Sequence, residues 1–156
     1  MFLSMSYLSL SLDEPERFEC EGGFSASNLH ITLFHFPWDD LLVCEKIMKI
    51  VRANLNPLKC NRMALGGAVN FFGKDNKFVV LEVESKWIYE FREEIAKKLR
   101  ENMIVYSTNW PFSAHITLGK KDEINIYDCL TLQNSSIVVN DIELHNRLEM
   151  LDSIKL

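Results

Sequence analysis

The sequence predicts an α/β fold of the α+β type, organised as one domain over residues 1–156. Segments with the two-residue alternation or β-branched composition of strands recur along the chain, and two amphipathic helical segments separate them. The length of 156 residues suits one hydrophobic core, and contents of 47% hydrophobic and 25% charged residues are typical of a globular protein.

The first half of the chain predicts two strands and a helix. Residues 7–12 alternate Tyr-Leu-Ser-Leu-Ser-Leu, and residues 29–36 are rich in β-branched and aromatic side chains, so both segments predict strands. The aspartate pair at 39–40 provides a helix cap and negative charge for the first turn. The resulting helix is expected to stop at Asn56-Pro57.

The second half repeats this alternation of strands and a helix. Residues 63–72 predict a strand with a bulge or a close backbone approach at Gly66-Gly67, followed by a hairpin turn into a strand at 77–84. A second helix is predicted at 85–102, with Ser85 as its cap. Three more strands complete the prediction, at residues 103–106, 114–119 and 136–144.

The tetrapeptide His-Ile-Thr-Leu occurs at residues 30–33 and again at 115–118. A given histidine precedes Ile-Thr-Leu by chance with a probability of roughly 10⁻³ to 10⁻⁴. Because residues i and i+2 of a strand share a face, each motif directs an imidazole and a hydroxyl to one side. Two such strands side by side would form a cluster of the following four side chains: His30, Thr32, His115 and Thr117.

This cluster of side chains suits the cleavage of a phosphodiester. The reaction needs a base for the attacking oxygen and an acid for the leaving oxygen, and imidazole can do either at neutral pH. The two hydroxyls can donate hydrogen bonds to the non-bridging oxygens as charge develops there. Since no carboxylate-rich metal site accompanies either motif, we expect neither a metal nor another cofactor.

The paired motifs resemble those of the two-histidine phosphoesterase superfamily, with its LigT-like and 2′,5′-phosphodiesterase-like members. The order of elements and the approach to the second motif, Pro-Phe-Ser-Ala at 111–114, are similar too, although relatives often carry proline where Ala114 stands. The resemblance implies one bilobal domain with two antiparallel sheets facing a central cleft and helices packed outside. It also implies that His30 and His115 are catalytic, and that Thr32 and Thr117 bind substrate.

The resemblance further implies a metal-independent phosphodiesterase, either hydrolytic or cyclising. Its expected substrates are 2′-5′-linked oligoadenylates, cyclic oligonucleotides, 2′,3′-cyclic phosphates or RNA ends, and some viral relatives destroy nucleotide signals of host defence. Two alternatives remain: a module that sequesters a nucleotide without turnover, and an enzyme of the RNA end-processing or ligase type. The alternative without a functional role is that the two motifs are core strands that are similar by coincidence.

Aromatic residues near the motifs are candidates for stacking on nucleotide bases. Tyr7 lies on the first predicted strand, whereas Trp38, Trp110 and Phe112 lie on loops beside the motifs. Trp110 and Phe112 are the stronger candidates because they lead directly into His115. Core packing is the ordinary alternative for each of them.

Two other histidines are expected to have surface or structural duties. His35 lies at an odd offset from His30 and should point away from the site in a regular strand, and His145 follows the last predicted strand. Lys120 and Lys121 are expected to be a solvated charge pair.

Charge and cysteine spacing limit the partners and the compartment. A formal net charge of -5 argues against binding long nucleic acid, so we expect a small nucleotide or a short oligonucleotide as partner. We expect no membrane association, a cytoplasmic location and a monomer. The four cysteines form no CxxC pair and are expected to be buried free thiols: Cys20, Cys44, Cys60 and Cys129.

Overall fold

The structure, a computed structural model, describes residues 4–55 and 62–156. The expected end of the first helix at residues 56–57 and Cys60 lie outside these residues. The strands are β1 (Ser6–Leu12), β2 (His30–Phe36), β3 (Met63–Phe72), β4 (Phe78–Glu84), β5 (His115–Lys120), β6 (Ser136–Asn146) and β7 (Met150–Lys155). The helices are α1 (Leu41–Asn54), α2 (Lys86–Glu101) and α3 (Ile126–Leu130).

The strands form one antiparallel sheet in the order β1-β2-β5-β4-β3-β6-β7, and β1 also pairs with β6. The pairing therefore closes on itself through six strands, with β7 added beside β6. The long strand β6 makes this possible, because its first residues pair with β3 and its later residues pair with β1. The α+β class is confirmed, whereas the expected two-sheet bilobal arrangement is not confirmed, because the described strands are joined into one seven-stranded sheet.

The helices contribute an apolar stripe each to a shared core. In α1 the buried positions follow the helical period, and they are Cys44, Ile47, Met48 and Val51. In α2 the buried positions are Trp87, Ile88, Phe91, Ile95, Ala96 and Leu99. None of the helices in the described part of the chain is both long and apolar enough to cross a membrane.

Both predicted helix caps are confirmed. The Asp40 carboxylate accepts hydrogen bonds from the backbone N–H groups of Leu42 and Val43 at 2.9 and 3.3 Å. The Ser85 hydroxyl oxygen accepts the backbone N–H of Ile88 at 3.2 Å. Each cap satisfies N–H groups that have no partner within the first turn of the helix.

The predicted bulge in β3 is also confirmed. Gly66 lies opposite Val83 and Val69 lies opposite Leu81, so β3 has one more residue than β4 between these pairs. The expected close approach occurs as well, because a Cβ on Gly66 would lie 2.7 Å from the Leu132 carbonyl oxygen.

Three expectations about the C-terminal part were wrong or incomplete. Residues 103–106 are not a strand: Met103 has a positive φ of 55°, and the backbone N–H of Ile104 closes the end of α2 by donating to Leu99. Strand β6 continues to Asn146 rather than ending at residue 144. The short helix α3 and strand β7 were not predicted.

Strand β2 contains a bulge immediately after its motif threonine. Ser9 of β1 lies opposite Thr32, whereas Leu8 lies opposite Phe34, so Leu33 is an extra residue in β2. A bulge reverses the alternation of faces beyond it. From Phe34 onward, each residue of β2 therefore faces the side of the sheet opposite to the one predicted by simple alternation.

Strand β5 contains a bulge at the equivalent position of the second motif. Val80 of β4 lies opposite Thr117, whereas Val79 lies opposite Gly119, so Leu118 is an extra residue in β5. The two copies of His-Ile-Thr-Leu thus repeat a local backbone irregularity as well as a sequence.

Candidate active site

The two motif strands are neighbours and meet at the isoleucines of the motifs. Ile31 and Ile116 are paired antiparallel, and both are 0% exposed. The antiparallel register places each motif histidine across from the threonine of the other motif. Burial of the isoleucines therefore sends both imidazoles and both hydroxyls to the opposite face, as predicted.

These four side chains line one cleft of about 620 Å³. The cleft also contains residues from the loop before β5, from β3, β4 and α2, and from the segment before β2. Its lining residues are Phe24, Asn28, His30, Thr32, Leu33, Phe34, His35, Phe72, Phe78, Arg92, Ser107, Trp110, Pro111, Phe112, Ser113, His115 and Thr117.

His115 is held by a backbone hydrogen bond and an aromatic neighbour. Its Nδ1 lies 2.8 Å from the Ser113 carbonyl oxygen, which can only accept, so Nδ1 carries the proton and Nε2 remains for proton transfer. The Phe72 ring lies 4.6 Å from the imidazole. The Tyr89 hydroxyl oxygen accepts the Ala114 backbone N–H at 3.0 Å, which fixes the approach to the motif.

His30 lies in an environment that favours its neutral form. Burial lowers the pKa of His30, and the positive charges of His145 and His35 lower it further, against a hydrogen bond to the Asn28 backbone that raises it. The Tyr7 ring stacks on the imidazole at 5.3 Å. A neutral imidazole is the form that accepts a proton.

The expectation that His35 points away from the site was wrong. The extra residue Leu33 reverses the alternation, so His35 returns to the face of His30 and lines the cleft. Its Nδ1 is joined to the Ser4 hydroxyl by a hydrogen bond of 3.0 Å. Burial lowers the pKa of His35, and the charge of His115 lowers it further.

The predicted position of His145 beyond the last strand was wrong, whereas the expected surface or structural role is not contradicted. His145 lies within β6 and is paired with Tyr7 of β1, on whose ring it stacks at 5.0 Å. Its Nε2 lies 3.0 Å from a carboxylate oxygen of Glu143. Tyr7 thus contacts the imidazoles of both His30 and His145, and it lies between the motif histidine and the hydrogen-bonded His145 and Glu143.

The fold that carries this cleft is similar to that of solved structures. E. coli LigT in apo form gives a TM-score of 0.67 at 14% identity, covering 98% of this chain and 97% of LigT. The LigT complex with 3′-AMP gives 0.63 at 14% identity and covers 98% of both chains. This chain has the LigT fold.

A viral protein has the same fold. The PDE domain of MHV ns2 gives a TM-score of 0.56 at 13% identity and covers 99% of both chains. Other LigT structures similar to this chain are complexes with NADP⁺ and ATP. Neither the family models nor the curated proteins gave a match to this chain.

Within this LigT-like fold, the predicted aromatic residues occupy different positions. Trp110 lines the cleft and is 76% exposed, and Phe112 lines it while packing edge-on against Tyr89 at 5.1 Å. Tyr7 contacts His30 without lining the cleft. Trp38 stacks on Phe36 at 5.1 Å and lies outside the lining.

The lysines after the second motif are exposed, in agreement with a solvated pair. Lys121 places its Nζ 4.8 Å from the Phe71 ring centroid. Lys120 lies opposite Phe78, a cleft residue, in the register of β4 and β5. Cross-strand neighbours share a face, so Lys120 belongs to the cleft side of the LigT-like sheet.

Arg92 of α2 is a cleft residue that the sequence interpretation missed. It lies in the apolar stripe of its helix, four residues after Ile88 and three before Ile95, both 0% exposed. A charged residue in that helical register was the available signal, since such positions are normally apolar.

The described cysteines agree with the expectation of buried free thiols. Cys20, Cys44 and Cys129 are buried free thiols, and burial raises the pKa of Cys20 to about 12. Within residues 4–55 and 62–156, no group of three or more histidine, cysteine or acidic side chains is placed to hold a metal ion.

Proposed function

We propose that this chain is a metal-independent phosphodiesterase with His30 and His115 as its acid–base pair. The observation that carries the proposal is the convergence of two imidazoles and two hydroxyls, from separate copies of one tetrapeptide, on a single cleft. The shared fold of LigT and the MHV ns2 PDE domain supports the same class of activity.

The environments of the two histidines support different roles. For a linear 2′-5′ substrate, neutral His30 removes the proton of the adjacent 3′-hydroxyl, whose oxygen forms a new bond to phosphorus. The bond from phosphorus to the 5′-oxygen breaks, and His115 protonates that oxygen. The products are a 2′,3′-cyclic phosphate and a free 5′-hydroxyl; with an already cyclic substrate, water is the attacking group.

Thr32 and Thr117 bind the phosphate in this proposal. Their hydroxyls lie on the same face as the imidazoles and donate to the non-bridging oxygens, where negative charge increases in the transition state. Exposed Trp110 and the neighbouring Phe112 provide surfaces on which a base can stack.

The volume of the cleft and the net charge of the chain support the proposed substrate class. A cleft of about 620 Å³ is in the range of small-ligand sites, and a net charge of -5 disfavours long nucleic acid. We therefore propose 2′-5′-linked oligonucleotides, cyclic oligonucleotides or 2′,3′-cyclic phosphates as substrates. Removal of a nucleotide signal in counter-defence is the corresponding biological role.

A cleavage panel tests the proposal. The protein is incubated with 2′-5′ and 3′-5′ oligoadenylates, cyclic di- and trinucleotides and 2′,3′-cyclic phosphates, and products are identified by mass. We expect cleavage of at least one class and none by a variant carrying both His30→Ala and His115→Ala. Tight binding without turnover would establish a sequestering module, and joined products would establish a ligase-type activity.

A second experiment separates the two histidine roles. A p-nitrophenyl phosphodiester has a leaving group that needs no proton, so loss of the acid matters less than loss of the base. We expect His115→Ala to be largely rescued by this substrate and His30→Ala not to be rescued. The opposite pattern would reverse the roles, and equal damage would mean that both histidines bind the phosphate instead of transferring protons.

A further inference from the structure

Arg92 is anchored beside the first motif by the bulge in β2. Its Nε–H donates to the Leu33 carbonyl oxygen at 3.2 Å. Leu33 is the extra residue of the bulge and directly follows Thr32. The guanidinium is therefore fixed at the cleft, on the residue that directly follows the threonine proposed to bind the scissile phosphate.

Aromatic rings surround the Arg92 guanidinium. Its Cζ lies 4.3 Å from the Phe34 ring centroid, 4.9 Å from that of Phe112 and 5.4 Å from that of Tyr106. The Tyr106 hydroxyl oxygen is itself occupied as acceptor for Arg100 at 2.7 Å. Since these rings already contact the guanidinium, a nucleotide base would have to displace one of the rings in order to stack on Arg92. The terminal N–H groups are the part left for a ligand.

No acidic side chain forms an ion pair with Arg92 among residues 4–55 and 62–156. In contrast, Arg17, Arg52 and Arg100 each have a carboxylate partner. Burial lowers the pKa of Arg92, yet a guanidinium stays charged at neutral pH. A half-buried, unpaired cation in a cleft is unfavourable until an anion occupies it.

Two further polar side chains of the cleft belong to residues that directly follow rings in contact with Arg92, because His35 follows Phe34 and Ser107 follows Tyr106. His35 and Ser107 both line the cleft, and the Ser107 backbone N–H donates to the His35 carbonyl oxygen at 2.9 Å. With Arg92, they offer a guanidinium fork, an imidazole and a hydroxyl. This combination matches the geometry and charge of a phosphate.

We propose that Arg92, His35 and Ser107 form a subsite for a second phosphate, adjacent to the phosphate held by the two motifs. The inference rests on the proposed phosphodiesterase function and deepens it. The preferred substrate carries a further phosphate on the nucleotide next to the scissile bond, as in a 5′-phosphorylated or cyclic oligonucleotide.

Calorimetric titration with small nucleotides tests the subsite without requiring turnover. The probes are adenosine 2′- and 3′-monophosphates and the corresponding 2′,5′- and 3′,5′-bisphosphates. We expect at least one bisphosphate to bind about 10- to 100-fold more tightly than its monophosphate, because charge-assisted hydrogen bonds are among the strong ones. The preference should shrink as salt concentration rises.

Substitutions assign this preference to Arg92. Arg92→Met should lower the ratio of bisphosphate to monophosphate affinity by about 10-fold or more, and Arg92→Lys should lower it less, because an ammonium keeps the charge without the fork. The matched control is Arg52→Met, at an exposed arginine paired with Asp152 at 3.0 Å, which should leave the ratio unchanged. If Arg92→Met does not fold, Arg92→Lys and the wild-type ratio decide the question.

Two results would overturn the subsite: equal affinities of wild type for both probe classes, or equal weakening of both classes by Arg92→Met. The second result would mean that Arg92 only shapes the cleft. Failure of the proposed function is distinct, since it gives no turnover in the cleavage panel while the Arg92-dependent preference persists.

Discussion

Mild acidification is expected to destabilise this fold through two cleft histidines. Burial lowers the pKa of His30 and of His35 in the folded chain, and the neighbouring charges of His145 and His115, respectively, lower them further. In the unfolded chain, both imidazoles return to an ordinary value near 6.5. As the pH falls through that value, the unfolded state binds protons that the folded state does not, so protonation favours unfolding.

The pH dependence of the free energy of unfolding has an upper limit, because only His30 and His35 contribute to it here. One group that is protonated only in the unfolded state changes the free energy of unfolding by about 1.4 kcal/mol per pH unit. Two such histidines give at most twice this slope, which solvent screening in the open cleft reduces. The contribution of these histidines to stability is therefore largest above about pH 6.5. As the pH decreases below that value, stability falls, and it stops falling once the pH is below the lowered folded-state pKa values. Domain stabilities are only about 5–15 kcal/mol, so the loss is measurable.

Urea unfolding followed by circular dichroism between about pH 5 and pH 7.5 measures this slope, in a window above the ordinary carboxylate pKa values. His30→Gln and His35→Gln should each make the slope shallower, and the double variant should make it shallowest. Arg52→Gln, at an exposed residue away from the cleft, serves as the control and should keep the wild-type slope. Stability that stays constant or rises on acidification through this window would refute the reasoning, as would a double variant with an unchanged slope.

Three further outcomes are expected. His30→Ala and His115→Ala should each reduce turnover by about 10²-fold or more, Thr32→Ala and Thr117→Ala by less, and near wild-type kcat in either histidine variant would contradict the assignment. Activity should persist in excess EDTA, because the proposed chemistry uses only side chains; a loss reversed only by added divalent metal would exclude it. Ile116→Ala, at a fully buried residue, should lower the urea-measured free energy of unfolding by about 2–5 kcal/mol, whereas a loss under about 1 kcal/mol would mean that the motif strands are not packed as described.

The side-chain cluster was predictable because strand alternation is a local property of the sequence. The spacing of His30 and Thr32 sufficed to place them on one face, and the repeat at His115 and Thr117 indicated that they meet. The pairing of the motif strands then followed from burial of the apolar positions between these residues. The caps at the helix starts were equally local and equally predictable.

The position of His35 was not predictable because it depends on a pairing register. The bulge at Leu33 is defined by the register between β2 and the neighbouring strand β1, and the sequence of β2 alone does not indicate it. The strand prediction for residues 103–106 failed for a related reason. Ile104 and Tyr106 are buried and Val105 is exposed, which imitates strand alternation, but these residues belong to none of the strands in the described part of the chain. The helical register of Arg92 gave a local signal, but its place in the cleft was not predictable because the rings around its guanidinium come from other elements of the fold.

The bulge in each motif brings a different side chain to the cleft side in the two halves of the fold. The fifth residue after each motif histidine returns to the cleft side, and it is His35 in one half and Lys120 in the other. The repeated imidazoles and hydroxyls alone cannot distinguish the two ends of a phosphodiester, because exchanging the halves exchanges identical groups. An imidazole on one side and an ammonium on the other remove that equivalence. On the proposed function, His35 and Lys120 therefore add a further difference between the two halves, beside the different environments of His30 and His115, by which a dinucleotide could be oriented.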